Sequence, residues 1–275
     1  MNLTNVGKAR SFALGKHLRR RYNDILSPSY DPSNIVVICS ETNRTIESGI
    51  ITATGVYSPE DTWCKDMEMI PLEYTVLHDK HNYLMASASC LPFAKFCFTT
   101  FISSADQMRP YKDLLENLSR DLPKNLTEHP ILLYGVYDLD LSQLSMGLPL
   151  KETHTASWDD MKQGAGTAID VLTGNDDYLH LQAGVILKSF LDTADQIIAG
   201  TEVPRFTLYS AHDFTVYSFL AITRSRPKQG VPLFSSVMAL ELRKCRSDGK
   251  YVVVPVYISS PGDTEQYLSI EGCGD

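Results

Sequence analysis

Read from its amino end, the chain alternates between helical and extended hydrophobic periods. Leu14, Leu18, Tyr22 and Ile25 recur at helical spacing behind Thr4, with Arg19, Arg20 and Arg21 gathered near the C-terminal half, where positive charge complements the helix dipole. The spacing predicts a surface helix of about five turns. Pro28 and Pro32 break it. The run Ile35-Val36-Val37-Ile38-Cys39 that follows is continuously apolar, as in a strand covered on both faces. A second helix is expected from about residue 42 to residue 54.

Between Pro59 and about Asn175 the periodicity weakens, with dispersed Pro, Met and aromatic residues and only short helical segments, such as residues 111–118. We expect a mostly helical lobe at residues 81–175, inserted into a core made of residues 1–80 and 176–275. Beyond it Ala183, Leu187, Phe190, Leu191, Ala194 and Ile198 form one helical stripe, stopped at Gly200 and expected to pack on something flat. Phe206 to Ala211 reads as a second buried strand, with a helix starting directly at its end near Asp213. Strand, tight turn and helix together make a parallel-sheet unit. Val237 to Leu242 and Tyr251 to Tyr257 read as two late strands joined through Ser247-Asp248-Gly249. The expected fold class is α/β, a mainly parallel central sheet flanked by helices, with the helical lobe inserted.

Composition narrows the function classes. With 275 residues, 43% of them hydrophobic and 21% charged, the chain can bury a real core and is neither disordered nor fibrous. Asp and Glu outnumber Lys and Arg, 33 to 25, and the net charge of −8 argues against a whole-surface nucleic-acid binder. A local basic pocket stays open. No apolar run approaches the roughly 20 residues that cross a bilayer, so no membrane span is expected. The polar start of the chain holds no signal peptide. Six cysteines and four Asn-x-Ser/Thr sequons, at Asn2, Asn43, Asn117 and Asn125, point instead to a secretory-pathway protein whose beginning is absent.

Candidate chemistry sits at the two strand ends, where open α/β sheets gather ligands. Ser40-Glu41-Thr42-Asn43-Arg44-Thr45 follows the first strand, and His212 and Asp213 follow the second. Arg44 offers a planar fork for phosphate, His212 a further donor and Asp213 an acid. Taken singly they read as a surface arginine, a strand-end histidine and a helix N-cap. Their shared position makes them half of a phosphate-handling site. No metal is expected, because His212 and Asp213 follow a strand and His78 and His81 lie in an irregular stretch.

Longer blocks extend this reading. Leu3-Thr4 with Gly7, Leu14-Gly15, Leu18-Arg19-Arg20-Arg21-Tyr22, Asn43-Arg44-Thr45 with Ser48, Cys90-x-x-Phe93, Leu181-Gln182-Ala183-Gly184 and Tyr209-Ser210-Ala211-His212-Asp213-Phe214-Thr215 occur in that order. Together they resemble the histidine acid phosphatases, in particular the prostatic and lysosomal branch, which have a phosphoglycerate mutase-like fold. The resemblance implies two-step hydrolysis of phosphate monoesters through a phosphohistidine, without a cofactor. It makes Arg44 and His212 phosphate-binding residues and Asp213 the proton donor. It also implies a secreted or lysosomal full-length product and a possible homodimer.

The family's RHGxRxP motif, which carries the nucleophile and two arginines, does not occur in this sequence. The family places it on a strand ahead of the LT-x-x-G helix, so nucleophile and N-terminal strand are expected to be missing and the chain truncated. Ile38-Cys39-Ser40-Glu41 stands where the family has RSTD. Cys90 and Cys273 fall at family disulfide positions whose later partners would lie past Asp275, while Cys64, Cys97 and Cys245 have no counterpart. The rival reading is a catalytically inactive homologue that acts as a binding protein.

Overall fold

The computed structural model describes residues 2–57, 71–103, 106–173 and 175–273. Thr4 opens helix α1 (Asn5–Arg21), its hydroxyl accepting from the Gly7 amide at 3.1 Å, and Arg19, Arg20 and Arg21 close it where cations offset the helix dipole. Strand β1 (Ile35–Ser40) leads to helix α2 (Asn43–Val56), which is capped by the Thr42 side chain. A short strand β2 (Thr75–Leu77) follows. Helices α3 (Ala86–Ser89), α4 (Leu91–Ser103), α5 (Lys112–Ser119), α6 (Leu132–Ser145), α7 (Glu152–Ala156) and α8 (Trp158–Thr173) come next, with no strand among the described residues of this stretch. Helix α9 (Asp176–Ile198) leads to strand β3 (Phe206–Ser210) and helix α10 (Asp213–Ile222). The chain ends in strands β4 (Ser225–Arg226), β5 (Val237–Lys244), β6 (Tyr251–Ile258), β7 (Gln266–Tyr267) and β8 (Ser269–Ile270).

The central sheet has the order β2-β1-β3, every pair parallel, with Ile35 opposite Phe206 and Cys39 opposite Ser210. Alternate residues of a strand face opposite ways, and β1, covered on both faces, is apolar from Ile35 to Cys39. Ile35, Val37 and Cys39 meet Leu14, Leu18 and Ala53 of the α1–α2 layer, while Ile38 and Tyr209 join Ala183, Ile186 and Phe219 on the other side. The two late strands pair antiparallel, as a sheet separate from the parallel one, with Gly249 in a left-handed conformation (φ 72°) at their turn. Arg21 binds this hairpin to α1: its Nη2 donates to Glu241 at 2.7 Å, and it also pairs with Glu265.

Helices α1 and α2 touch at two glycines. A Cβ on Gly15 would stand 2.1 Å from the Thr52 carbonyl oxygen and 2.6 Å from the Gly55 Cα. Backbone meets backbone here, so no rotamer change could make room. This contact sets how closely α2 lies over β1, where a Cβ on Gly49 would stand 2.7 Å from the Cys39 sulfur.

Three expectations need correction. The α9 stripe holds only in part: Ala183 and Ala194 are buried and Leu187 and Phe190 half-buried, but Leu191 and Ile198 are 50% and 49% exposed, while Leu179, Gln182 and Ile186 complete the buried face. The apolar positions Leu191 and Ile198 therefore lie off the side of α9 that Ala183, Ile186 and Ala194 bury. Helices α6 and α8 are regular elements of 14 and 16 residues, not short segments. The even cysteine count does not translate into pairs among the described residues: Cys39, Cys90, Cys97, Cys245 and Cys273 are all free, and Cys39 is sealed beneath α2. Cys64 lies outside the described residues.

The glycine contact makes a measurable contrast. Gly15→Ala should destabilise the protein by about 3 kcal/mol, since the new methyl strikes fixed backbone. Gly166→Ala, at a helical glycine with nothing within 4 Å of its Cβ position, should stabilise it by up to about 1 kcal/mol. Urea unfolding of the two variants beside the parent checks both signs.

Candidate active site

Because β1 and β3 are parallel neighbours in register, their carboxyl ends release Ser40 and Ala211 side by side, and α2 and α10 start within a few residues of them. Hydrogen bonds fix both helix starts. Thr45 Oγ1 donates to the Ser40 carbonyl at 2.6 Å, Ser210 Oγ to the Thr45 carbonyl at 2.6 Å, and Thr215 Oγ1 to the Leu84 carbonyl at 2.6 Å.

Arg44, in the first turn of α2, and His212, at the N-cap of α10, meet here, with Arg44 Nη2 3.5 Å from His212 Nδ1. Nearly 170 residues of chain separate the two. A guanidinium can only donate, so the Nδ1 lone pair faces it and the ring proton belongs on Nε2. Nε2 then donates to Ser40 Oγ at 2.9 Å, and the buried Ser40 is in turn bonded to the Asn82 side-chain amide. His212 is 9% exposed. Burial, aided by the Arg44 charge and opposed by Asp213, pushes its imidazole down to about 4, so the ring is neutral at neutral pH.

Asp213 opens α10. Its Oδ1 accepts from the Phe214 amide at 2.8 Å, and its Oδ2 accepts from the Tyr134 hydroxyl, which reaches across from α6. Burial first, then the Asp213 charge, raises the Tyr134 phenol, so it remains a donor. The Tyr134 ring packs on Phe214 with centroids 5.0 Å apart. One helical turn on, Asp138 feels both Asp213 and Arg44: burial and the Asp213 charge raise its carboxyl, and Arg44 opposes them.

The flanking residues turn elsewhere. Exposed Glu41 accepts from His78 Nδ1 at 2.9 Å and from the Asp79 amide at 2.8 Å, contacts that lower its carboxyl. The Asn43 side chain points to the Asn2 amide oxygen at 3.2 Å, so it diverges from Arg44. His81 is exposed. Among the described residues no group of three or more His, Cys, Asp or Glu side chains could hold a metal ion. No single helix among them is long and apolar enough to cross a membrane.

The structure therefore gathers Arg44, His212 and Asp213 at one place. It adds Ser40, Asn82, Tyr134 and Asp138, to which the sequence reading gave no role. Ser40 lay in the strand-end segment, but only its burial beside His212 marks it out. The spacing of Tyr134 and Asp138, four residues apart on one face, was available as a signal once α6 is known to be a helix. A fixed cation, a neutral ring able to take up a proton, and a carboxylic group beside them can hold an oxyanion and protonate what leaves it.

Comparison with known proteins agrees in kind. Residues 1–165 match the family model described as histidine phosphatase superfamily (branch 2). A venom acid phosphatase of Apis mellifera is 26% identical over 98% of this chain and 71% of its own length, and the prostatic acid phosphatase of Bos taurus is 25% identical over 98% and 72%. In fold the chain is similar to the phytase of Citrobacter braakii, at TM-score 0.70 and 14% identity over 100% of this chain and 83% of that one. It is also similar to a Hafnia alvei phytase in complex with myo-inositol hexakis sulphate, at TM-score 0.72 and 13% identity over 100% and 82%. With a family match across more than half of its residues and relatives aligned along nearly all of them, this chain belongs to branch 2 of the histidine phosphatase superfamily.

Proposed function

We propose that the chain binds the phosphate of a phosphomonoester between Arg44 and His212 and that Asp213 protonates the departing oxygen, the acid–base half of an acid phosphatase reaction. One observation carries this reading: Arg44 Nη2 lies 3.5 Å from His212 Nδ1 beside Asp213, at the joined ends of two parallel strands. Arg44 supplies permanent charge. His212 is held neutral while the site is empty and accepts a proton when a dianion arrives, becoming a second cationic donor. Tyr134 anchors one oxygen of Asp213 and leaves the carboxyl aimed from the first turn of α10. In the family's hydrolysis a histidine attacks phosphorus, the bond to the ester oxygen breaks, and that oxygen takes the proton of the acid.

A second reading is favoured by the other histidines. Among the described residues His17 pairs with Glu265, His78 with Glu41 and His154 with Asp140, so none of these faces Arg44 as a nucleophile. On that reading the chain by itself binds anions without turning them over. A secreted or lysosomal setting goes with this reading and with the four sequons.

Two measurements test the proposal. The purified chain should hydrolyse an aryl phosphate near pH 5 no faster than its Asp213→Asn variant, while binding orthophosphate with an affinity that Arg44→Ala lowers by about tenfold or more. A robust Asp213-dependent rate would show that the chain holds its own nucleophile.

The second uses sulfate, whose charge is constant over the range, so any pH dependence belongs to the protein. A bound anion raises the His212 pKa above its empty-site value of about 4, so the complex holds more protons than the free protein and affinity climbs as pH falls from 7 towards 4. His212→Asn should flatten the climb. The empty protein follows the opposite course. Its unfolded chain takes up a proton near the ordinary value of 6.5 and the folded one only near 4, so stability falls across that window, by on the order of 3 kcal/mol.

A further inference from the structure

The carboxylate of Asp138 has no part in the binding and proton transfer described above. It sits mid-helix in α6, too far from either end to cap the helix or to meet its dipole. Other carboxylates of the helical stretch are engaged: Asp140 bonds to His154 at 2.7 Å, and Asp170 accepts from Tyr217 at 2.9 Å and pairs with Lys228. Asp138 is half-buried, yet among the described residues its side chain has no hydrogen bond and no ion pair. A carboxylate kept only for packing or stability would be paired, because an unpaired one costs desolvation energy without return.

Its position gives that carboxylate a role. Tyr134 and Asp138 are four residues apart on one face of α6, and helical side chains lean towards the helix N-terminus, so Asp138 tilts back over the turn that presents Tyr134. The Tyr134 hydroxyl rests on Asp213, and a proton donor must lie against the oxygen that leaves. Asp138 thus stands beside the pair of Tyr134 and Asp213, within reach of the charges of both Asp213 and Arg44. Burial acts on it as well.

Resting on the function proposed above, we propose that Asp138 determines which leaving groups the pocket accepts: it turns away esters whose leaving group is anionic and favours those that carry an ammonium. In a partly buried site, a unit charge several ångströms away changes affinity by on the order of tenfold.

Two ligands of equal size and opposite tail charge test this, phosphoethanolamine and phosphoglycolate, with orthophosphate as the reference. Calorimetric titration of the whole chain at pH 7.5 should give a preference of about tenfold or more for phosphoethanolamine. Asp138→Asn, which keeps the side-chain shape, should reduce the ratio to within about threefold, and Asp138→Lys should invert it. The ratio cancels any general change in phosphate affinity. If orthophosphate binds in an Arg44-dependent way but the ratio is the same in parent and Asp138→Asn, the role given to Asp138 is wrong and the phosphate site stands. If orthophosphate shows no Arg44-dependent binding, the phosphate site itself is wrong, and the selectivity built on it falls too.

Discussion

The arrangement depends on one run of parallel pairing. Residues 35–39 of β1 lie against residues 206–210 of β3, and this register brings two distant stretches of chain to a common edge. A shift by one residue would exchange the two faces of a strand, taking Cys39 from beneath α2 and Ile38 from the α9–α10 side. The apolar cover on both faces forbids that slip. Arg44 and His212 are close because the hydrophobic layers on either side of the sheet admit one alignment only.

Around that edge the work is divided by layer. Helices α2 and α10 start from the sheet and carry the cationic and imidazole groups, while α6 lies outside the sheet and contributes Tyr134 and Asp138. Phosphate chemistry is similar for every monoester, so it suits the rigid strand ends. What leaves differs from one ester to another, and on the proposed function Tyr134 and Asp138, the residues assigned to that side, sit on a helix whose surface can vary without disturbing the strands.

Legibility in the sequence follows the same division. The two buried strands and the helices after them were readable because a strand covered on both faces has no polar alternation to blur it, and Arg44, His212 and Asp213 were readable because they stand where such strands end. Tyr134 and Asp138 were not, since α6 is apolar on several sides and its neighbours offer no clean period. The α9 stripe misled for a related reason. Leu191 and Ile198 continue a helical repeat but stay exposed while Ala194 between them is buried, and periodicity alone does not say how wide the covered face is. The cysteines were uninformative in pairs, as the free and buried Cys39 illustrates.

Helix α10 belongs to two cores. Phe219 packs with the sheet-side cluster of Ala183 and Ile186, while Tyr217 lies in the cluster formed by α5, α6 and α8. Ten residues long, it spans about 15 Å and is held near its start by Phe214, packed on the helical cluster, and near its end by Leu220, buried with Tyr257 and Leu268, as a short axle is held between two bearings. Any rocking of the helical layer against the sheet turns this axle, and the first residues it turns are His212 and Asp213. Tyr134, anchored in the rocking layer, swings in the same sense. Asp213 and the hydroxyl that restrains it would then travel together, so on the proposed function the proton would keep its aim through the thermal motion of the layers.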